Sequence, residues 1–143
     1  MSLLQKTRYV LRHYRVFPKK RLGQNFVVDD TLLERMISYA SVGGEDTVLE
    51  VGAGLGSLTE LLSKKCKRVV TVEIDSRLVR ILRDRLGGLQ NVDLIEGDVL
   101  KVFVPQFNKV VSTPPYSISS SLLFWLLDRK FDCAVLAFQK ELA

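Results

Sequence analysis

Four places along the chain combine residue types that can hold a small polar ligand. The first is Glu50-Val51-Gly52-Ala53-Gly54-Leu55-Gly56, where glycines at every second position let a ligand approach the backbone closely. The second is Glu73, 17 residues after Gly56, whose carboxylate can accept hydrogen bonds from both hydroxyls of a ribose. The third is Asp98, in Glu96-Gly97-Asp98, which can accept from an adenine amino group. The fourth is Thr113-Pro114-Pro115-Tyr116, where proline rings hold backbone carbonyls in place beside a hydroxyl and an aromatic face. Each acid or glycine turn taken alone is more often a solvated turn. Together the glycine loop, Glu73 and Asp98 form a set of partners shaped for an adenosine.

The same spacing excludes other chemistries. A dinucleotide fingerprint reads GxGxxG and seats a pyrophosphate on a helix N-terminus, whereas the pattern here is GxGxG preceded by an acid. With no cluster of pyrophosphate donors and no acid or base suited to hydride transfer, an NAD-dependent oxidoreductase is set aside. Cys66 and Cys133 lie far apart without metal-type spacing, and His13 is the lone histidine. No metal is expected, and the thiols read as free in a reducing compartment.

The elements that position these residues follow from periodicity. Residues 30–40 predict a helix capped by Asp29 or Asp30, with Leu32, Leu33, Met36, Ile37 and Ala40 on one face. Strands are expected at 47–51, 68–73, 92–96, 109–112 and 133–138. Between them, helices are expected at 57–65, from a cap at Asp75 or Ser76 to Leu86, and at 121–129. Strands this apolar, separated by helix-length segments, indicate an α/β protein with a mostly parallel sheet covered on both faces. Right-handed crossovers then gather the carboxyl ends of the strands on one side. All four polar or glycine-rich signals fall at such ends.

Charge is distributed unevenly. Lys6, Arg8, Arg12, Arg15, Lys19, Lys20 and Arg21 all precede the first acid, Asp29, so the net charge of +5 resides entirely in the first 21 residues. Residues 1–22 therefore read as a basic arm, either a grip on a polyanion or a solvated tether. The length of 143 residues suits one domain, and no apolar run approaches the roughly 18 residues that span a bilayer. The N-terminus lacks the apolar block of a secretory signal. Its Arg-rich, acid-free character keeps a mitochondrial leader as the lesser alternative to a cytoplasmic location.

The motifs narrow the reading further. Arg21-Leu22-Gly23-Gln24-Asn25-Phe26 resembles the RxGQNF signature of the ribosomal RNA adenine-N6,N6-dimethyltransferases (KsgA type), which are class I S-adenosylmethionine methyltransferases. The resemblance runs on through residues 49–59, Val72-Glu73-Ile74-Asp75, Glu96-Gly97-Asp98, Pro114-Pro115-Tyr116-Ser117-Ile118-Ser119-Ser120 and Gln139-Lys140-Glu141. It implies a Rossmann-like fold in which residues 23–143 are the S-adenosylmethionine-binding domain, cut short after the fifth strand, without the later strands and small helical domain. It also implies that Gln24, Asn25 and Val27 close over the cofactor, with Gly52 and Gly54 beside its methionine part. Glu73 would bind the ribose, Ile74 and Val99 would sandwich the adenine ring, and Asp98 would read its amino edge. The methyl acceptor would sit against the catalytic Thr113, Pro114 and Tyr116, with Thr113 also bordering the cofactor.

The implied activity is methylation of adenine N6 in small-subunit ribosomal RNA by a monomeric protein. Two neighbouring readings keep the fold. One is modification of the large subunit, as in relatives that confer macrolide resistance. The other is a ribosome-assembly or RNA-binding factor, or a relative acting in mitochondrial transcription, with weak or no catalysis. One departure bears on the choice: the family motif opens with Asn, as NxPY, and here that position is Thr113.

Overall fold

Valine and its β-branched relatives crowd five short segments, and each forms a strand: β1 (Thr47–Val51), β2 (Arg68–Glu73), β3 (Val92–Glu96), β4 (Lys109–Ser112) and β5 (Cys133–Leu136). The computed structural model describes residues 2–17 and 29–138. Its sheet has the order β3-β2-β1-β4-β5 and every pairing is parallel. The central strands are buried on both faces, with Glu50 and Thr71 set among their apolar residues.

Alternation along the strands sorts the core into two layers. Val48, Val69 and Val111 point toward α2 (Asp30–Tyr39) and α3 (Ser57–Ser63), meeting Leu33, Met36, Ile37, Leu58 and Leu62. Leu49, Val51, Val70, Val72 and Val110 point the other way, onto Phe107 and onto Leu122, Trp125 and Leu126 of α5 (Ser119–Leu127). α4 (Ser76–Leu86) adds Leu82 and Leu86 beside Ala53 of the glycine loop. Its N-terminus is capped by Asp75, whose side chain accepts the Arg77 N–H.

Strand bounds match expectation for β1 through β4. β5 ends two residues early, at Leu136. α5 starts two residues before the expected 121, because a short 3-10 turn over Tyr116–Ile118 leads directly into it. The basic N-terminal segment shows the largest difference. Over residues 2–17 it is dominated by a helix, α1 (Leu3–Tyr14), with a Ser2/Gln5 capping box and Leu3, Thr7 and Val10 buried. Among the described residues no helix is long and apolar enough to cross a membrane.

β1 has β2 on one side and β4 on the other. The chain thus reverses its direction of travel across the sheet at β1. In open parallel sheets such a switch point opens a crevice at the carboxyl ends of the two strands.

Candidate active site

The crevice begins where backbone pairing between β1 and β4 stops. Their register covers Val48↔Lys109 and Leu49↔Val110. The next rung is a side chain. The wholly buried Ser112 hydroxyl accepts the Val51 N–H at 3.0 Å and donates to the Val51 carbonyl at 2.6 Å. One hydroxyl thereby satisfies both polar groups that β1 turns toward β4 at this point. Immediately after this rung both chains leave the sheet, β1 into Gly52 and β4 into Thr113-Pro114. Gly52 adopts φ +82, which L side chains rarely tolerate, and an added Cβ would lie 3.8 Å from Pro115 Cδ. The two loops thus face each other at contact distance.

Two buried acids stand at the base of the site, and one of them holds the glycine loop. Glu73 is 4 % exposed; its Oε1 accepts the Gly54 N–H and its Oε2 the Asp75 N–H, both at 2.9 Å. Burial pushes its carboxyl above the ordinary value, while those N–H groups pull it back. A carboxylate has about four acceptor sites, so the group can still accept from a ligand hydroxyl. Glu50 is 1 % exposed and accepts the hydroxyls of Thr59 on α3 and Thr71 on β2. Burial raises its pKa to about 8, against the lowering effect of the two hydroxyls, and the nearby Glu73 adds to the rise. Arg85 of α4 donates to the Leu55 carbonyl, fixing the far side of the loop.

The remaining expected residues take distinct places on the rim. Asp98 is half-buried after β3, and its Oδ1 accepts the Leu100 N–H at 2.9 Å. Ile74 is 54 % exposed beside Glu73. Val99 is 4 % exposed and packs into the core, and Ile74 is the more exposed apolar side chain of the two. Thr113 is half-buried, Pro114 buried, and Tyr116 is 57 % exposed. Gly52, Gly54, Glu73, Ile74, Asp98, Val99, Thr113, Pro114 and Tyr116 all lie at or after strand ends on this one side of the sheet. Gln24, Asn25 and Val27 lie outside the described residues.

Sequence reasoning missed two residues beneath the rim. Glu50 figured there only as the acid before the glycines, and Ser112 only as the last residue of a strand. Chain position gave no signal, because their partners lie 9, 21 and 61 residues away.

This donor and acceptor set suits a particular ligand. Glu73 and Asp98 are acceptors, the glycine loop admits close backbone approach, and Ile74 gives an apolar face. A ligand rich in O–H and N–H donors, with a flat ring and a cationic centre, fits these groups; a pyrophosphate does not. S-Adenosylmethionine has all of those features. Among the described residues no group of His, Cys, Asp or Glu could hold a metal ion.

Comparison with known proteins agrees with this geometry. Residues 17–143 match the family model described as ribosomal RNA adenine dimethylase. The chain is 51% identical over 134 residues to a probable ribosomal RNA small subunit methyltransferase A of Thermococcus kodakarensis, covering 94% of this chain and 48% of that protein. Among solved structures it is similar to a dimethyladenosine transferase from Plasmodium falciparum, with TM-score 0.72 and 39% identity over 78% of this chain and 42% of the other. It is also similar to the 23S rRNA methyltransferase ErmE, with TM-score 0.73 and 31% identity over 80% of this chain and 48% of the other. The chain spans about half the length of the curated relatives it matches.

Proposed function

The chain belongs to the ribosomal RNA adenine dimethylase family, and from that premise we propose that it forms the cofactor- and adenine-binding domain of an S-adenosylmethionine-dependent enzyme that dimethylates adenine N6 in small-subunit ribosomal RNA. One observation carries this reading: the Thr113–Tyr116 turn leaves β4 in contact range of the glycine loop, at the switch point of the sheet. The enzyme acts as a monomer in the cytoplasm.

Bound at this site, S-adenosylmethionine supplies an electrophilic methyl on a sulfonium. The residues of the chain do the rest. Glu73 accepts the ribose hydroxyls, Asp98 the adenine amino group, and Ile74 covers the ring. Gln24, Asn25 and Val27 close the site, and Val99 supports the adenine from beneath. Gly52 and Gly54 let the methionine part lie against the backbone.

The acceptor adenine stacks on the exposed Tyr116 ring, a contact worth about 1–3 kcal/mol for a base on an aromatic face. Its N6 is a poor nucleophile, because the lone pair is delocalised into the ring. Two N–H bonds, to the Thr113 hydroxyl and the Pro114 carbonyl, favour a more pyramidal nitrogen. Proline rings aim that carbonyl in advance, so little reorganisation is left for the transfer step. An in-line displacement of this kind depends on orientation more than on a general base. After the first methyl, the same nitrogen must be accepted again with one N–H fewer.

The test incubates the protein with radiolabelled S-adenosylmethionine and unmodified small ribosomal subunits, then identifies the labelled nucleoside after digestion. Label in N6,N6-dimethyladenosine, lost in Tyr116→Ala while cofactor affinity is unchanged, supports the assignment. Cofactor binding without label in any ribosomal RNA transfers the chain to the assembly-factor reading, with Thr113 the first position to examine.

A further inference from the structure

The N-terminal helix is fixed to the body of the domain, and every charged residue on it is cationic. Leu3, Thr7 and Val10 are buried along one side of α1, and Val16 just beyond it packs with Leu55, Leu78 and Ile81. Tyr14 donates its hydroxyl proton to Asp84 Oδ2 at 3.1 Å, and Arg77 Nη1 donates to the Phe17 carbonyl at 3.1 Å. These contacts bring the C-terminal end of α1 to the rim of the candidate site. Leu55 belongs to the glycine loop, and Arg77 is paired with Asp75, two residues past Glu73.

The opposite side of α1 carries Arg8 and Arg12, both exposed and four residues apart, and the exposed Arg15 follows as the C-cap in a left-handed conformation. A four-residue spacing lines up side chains on one helix face, and Arg15 extends the charge past the helix end. Lys6 and a stacked Tyr9–His13 pair lie on its flank, with ring centroids 5.7 Å apart. On the neighbouring α4, Arg80 and Arg83 are exposed as well. α1 contains no acid. Complementing a helix dipole accounts for Arg12 and His13 in the last turn, and not for Arg8 or Arg80, which lie outside last turns.

We infer that α1 and α4 form a track for an RNA sugar–phosphate backbone, in which Arg8, Arg12 and Arg15 pair with phosphates and lead the strand toward the rim. The inference rests on the proposed RNA substrate and deepens it by naming where the backbone lies. Among polyanions, RNA fits better than an anionic membrane. A surface-seeking amphipathic helix must insert its apolar face into lipid, and the Leu3, Thr7 and Val10 face of α1 is already buried against the domain.

The test measures binding of a fluorescein-labelled RNA hairpin with an adenosine-containing loop, across a range of salt concentrations. It compares the wild-type chain with Arg8→Gln/Arg12→Gln/Arg15→Gln. Each lost phosphate contact lowers the slope of log K against log salt by about 0.7–0.9, so three lower it by about 2.1–2.7 and weaken binding by roughly tenfold or more at moderate salt. Calorimetric affinity for S-adenosylmethionine stays at the wild-type value, which separates the track from the cofactor site. Should the triple variant fail to fold, Arg80→Gln on α4 must still lower the slope by about 0.7.

Unchanged affinity and slope in both variants overturn the track and leave the proposed methylation standing. So does a result in which only binding to phosphatidylserine vesicles depends on the three arginines. A wild-type chain that binds no RNA removes the RNA substrate and the track together.

Discussion

Replacing Ser112 by alanine tests whether the side-chain rung between β1 and β4 holds the site open in the right shape. The hydroxyl is wholly buried and serves both the N–H and the carbonyl of Val51, which is itself 4 % exposed. Ser112→Ala would leave both backbone groups dry and unpaired. An unsatisfied buried donor or acceptor costs about 1–3 kcal/mol, so the pair sets the loss at about 2–6 kcal/mol before any relaxation. For a domain of this size, a loss near the lower end moves the thermal midpoint by on the order of 10 °C. The lesion lies close to Gly52 and one residue before Thr113, so it loosens both loops of the crevice together. Cofactor affinity measured by calorimetry, at a temperature where the variant is still folded, is expected to fall several-fold. A thermal midpoint indistinguishable from wild type, together with unchanged affinity, would refute the reasoning. It would mean that the backbone ladder closes without the serine.

Three further outcomes follow from the same geometry. Glu73→Gln keeps an oxygen for the Gly54 N–H and removes the charge that ribose hydroxyls would meet; charge-assisted bonds contribute about 1.5–3 kcal/mol, so cofactor affinity should drop by roughly tenfold or more, and an unchanged dissociation constant would remove the ribose assignment. Thr113→Asn restores a longer acceptor at the head of the turn and should raise kcat by about tenfold or more with cofactor affinity unchanged; an unaltered rate would show that the Pro114 carbonyl suffices. Glu50 holds its proton up to about pH 8 in the folded protein and only to the ordinary carboxyl value of 4.5 when unfolded, so the folded state binds the extra proton between these values. Stability from this group is therefore full below pH 4.5 and declines as pH rises toward 8. Glu50→Gln should flatten that decline in denaturant titrations, and an equally steep decline in the variant would assign it to another group.

The rim of the site was legible because of one rule: in a parallel sheet every carboxyl strand end lies on the same side. Glycines after β1, an acid after β2, Gly-Asp after β3 and Pro-Pro-Tyr after β4 each marked its own strand end, so locating the strands located the rim. β1 to β4 were found to the residue because the same signals punctuate apolar runs. α5 lacked such a mark. Its first turn grows out of the 3-10 turn at Tyr116, and its mostly apolar sequence has no helical stripe to count from.

The layer beneath the rim was not legible, for a physical reason. Ser112 and Glu50 owe their roles to neighbours on other elements, so the same residue types at the same chain positions would read alike whether they brace a ligand loop or merely fill space. α1 shows this most clearly. Its buried face of Leu3, Thr7 and Val10 is narrow and interrupted by a polar residue, and in sequence it looks like a solvated basic arm. Only the docking of Val16 against Leu55, together with the Phe17 carbonyl on Arg77, turns a run of positive charge into a surface with a direction. Charge composition can suggest a polyanion; only a fixed helix can say that the polyanion is led toward the site where an adenine is proposed to react.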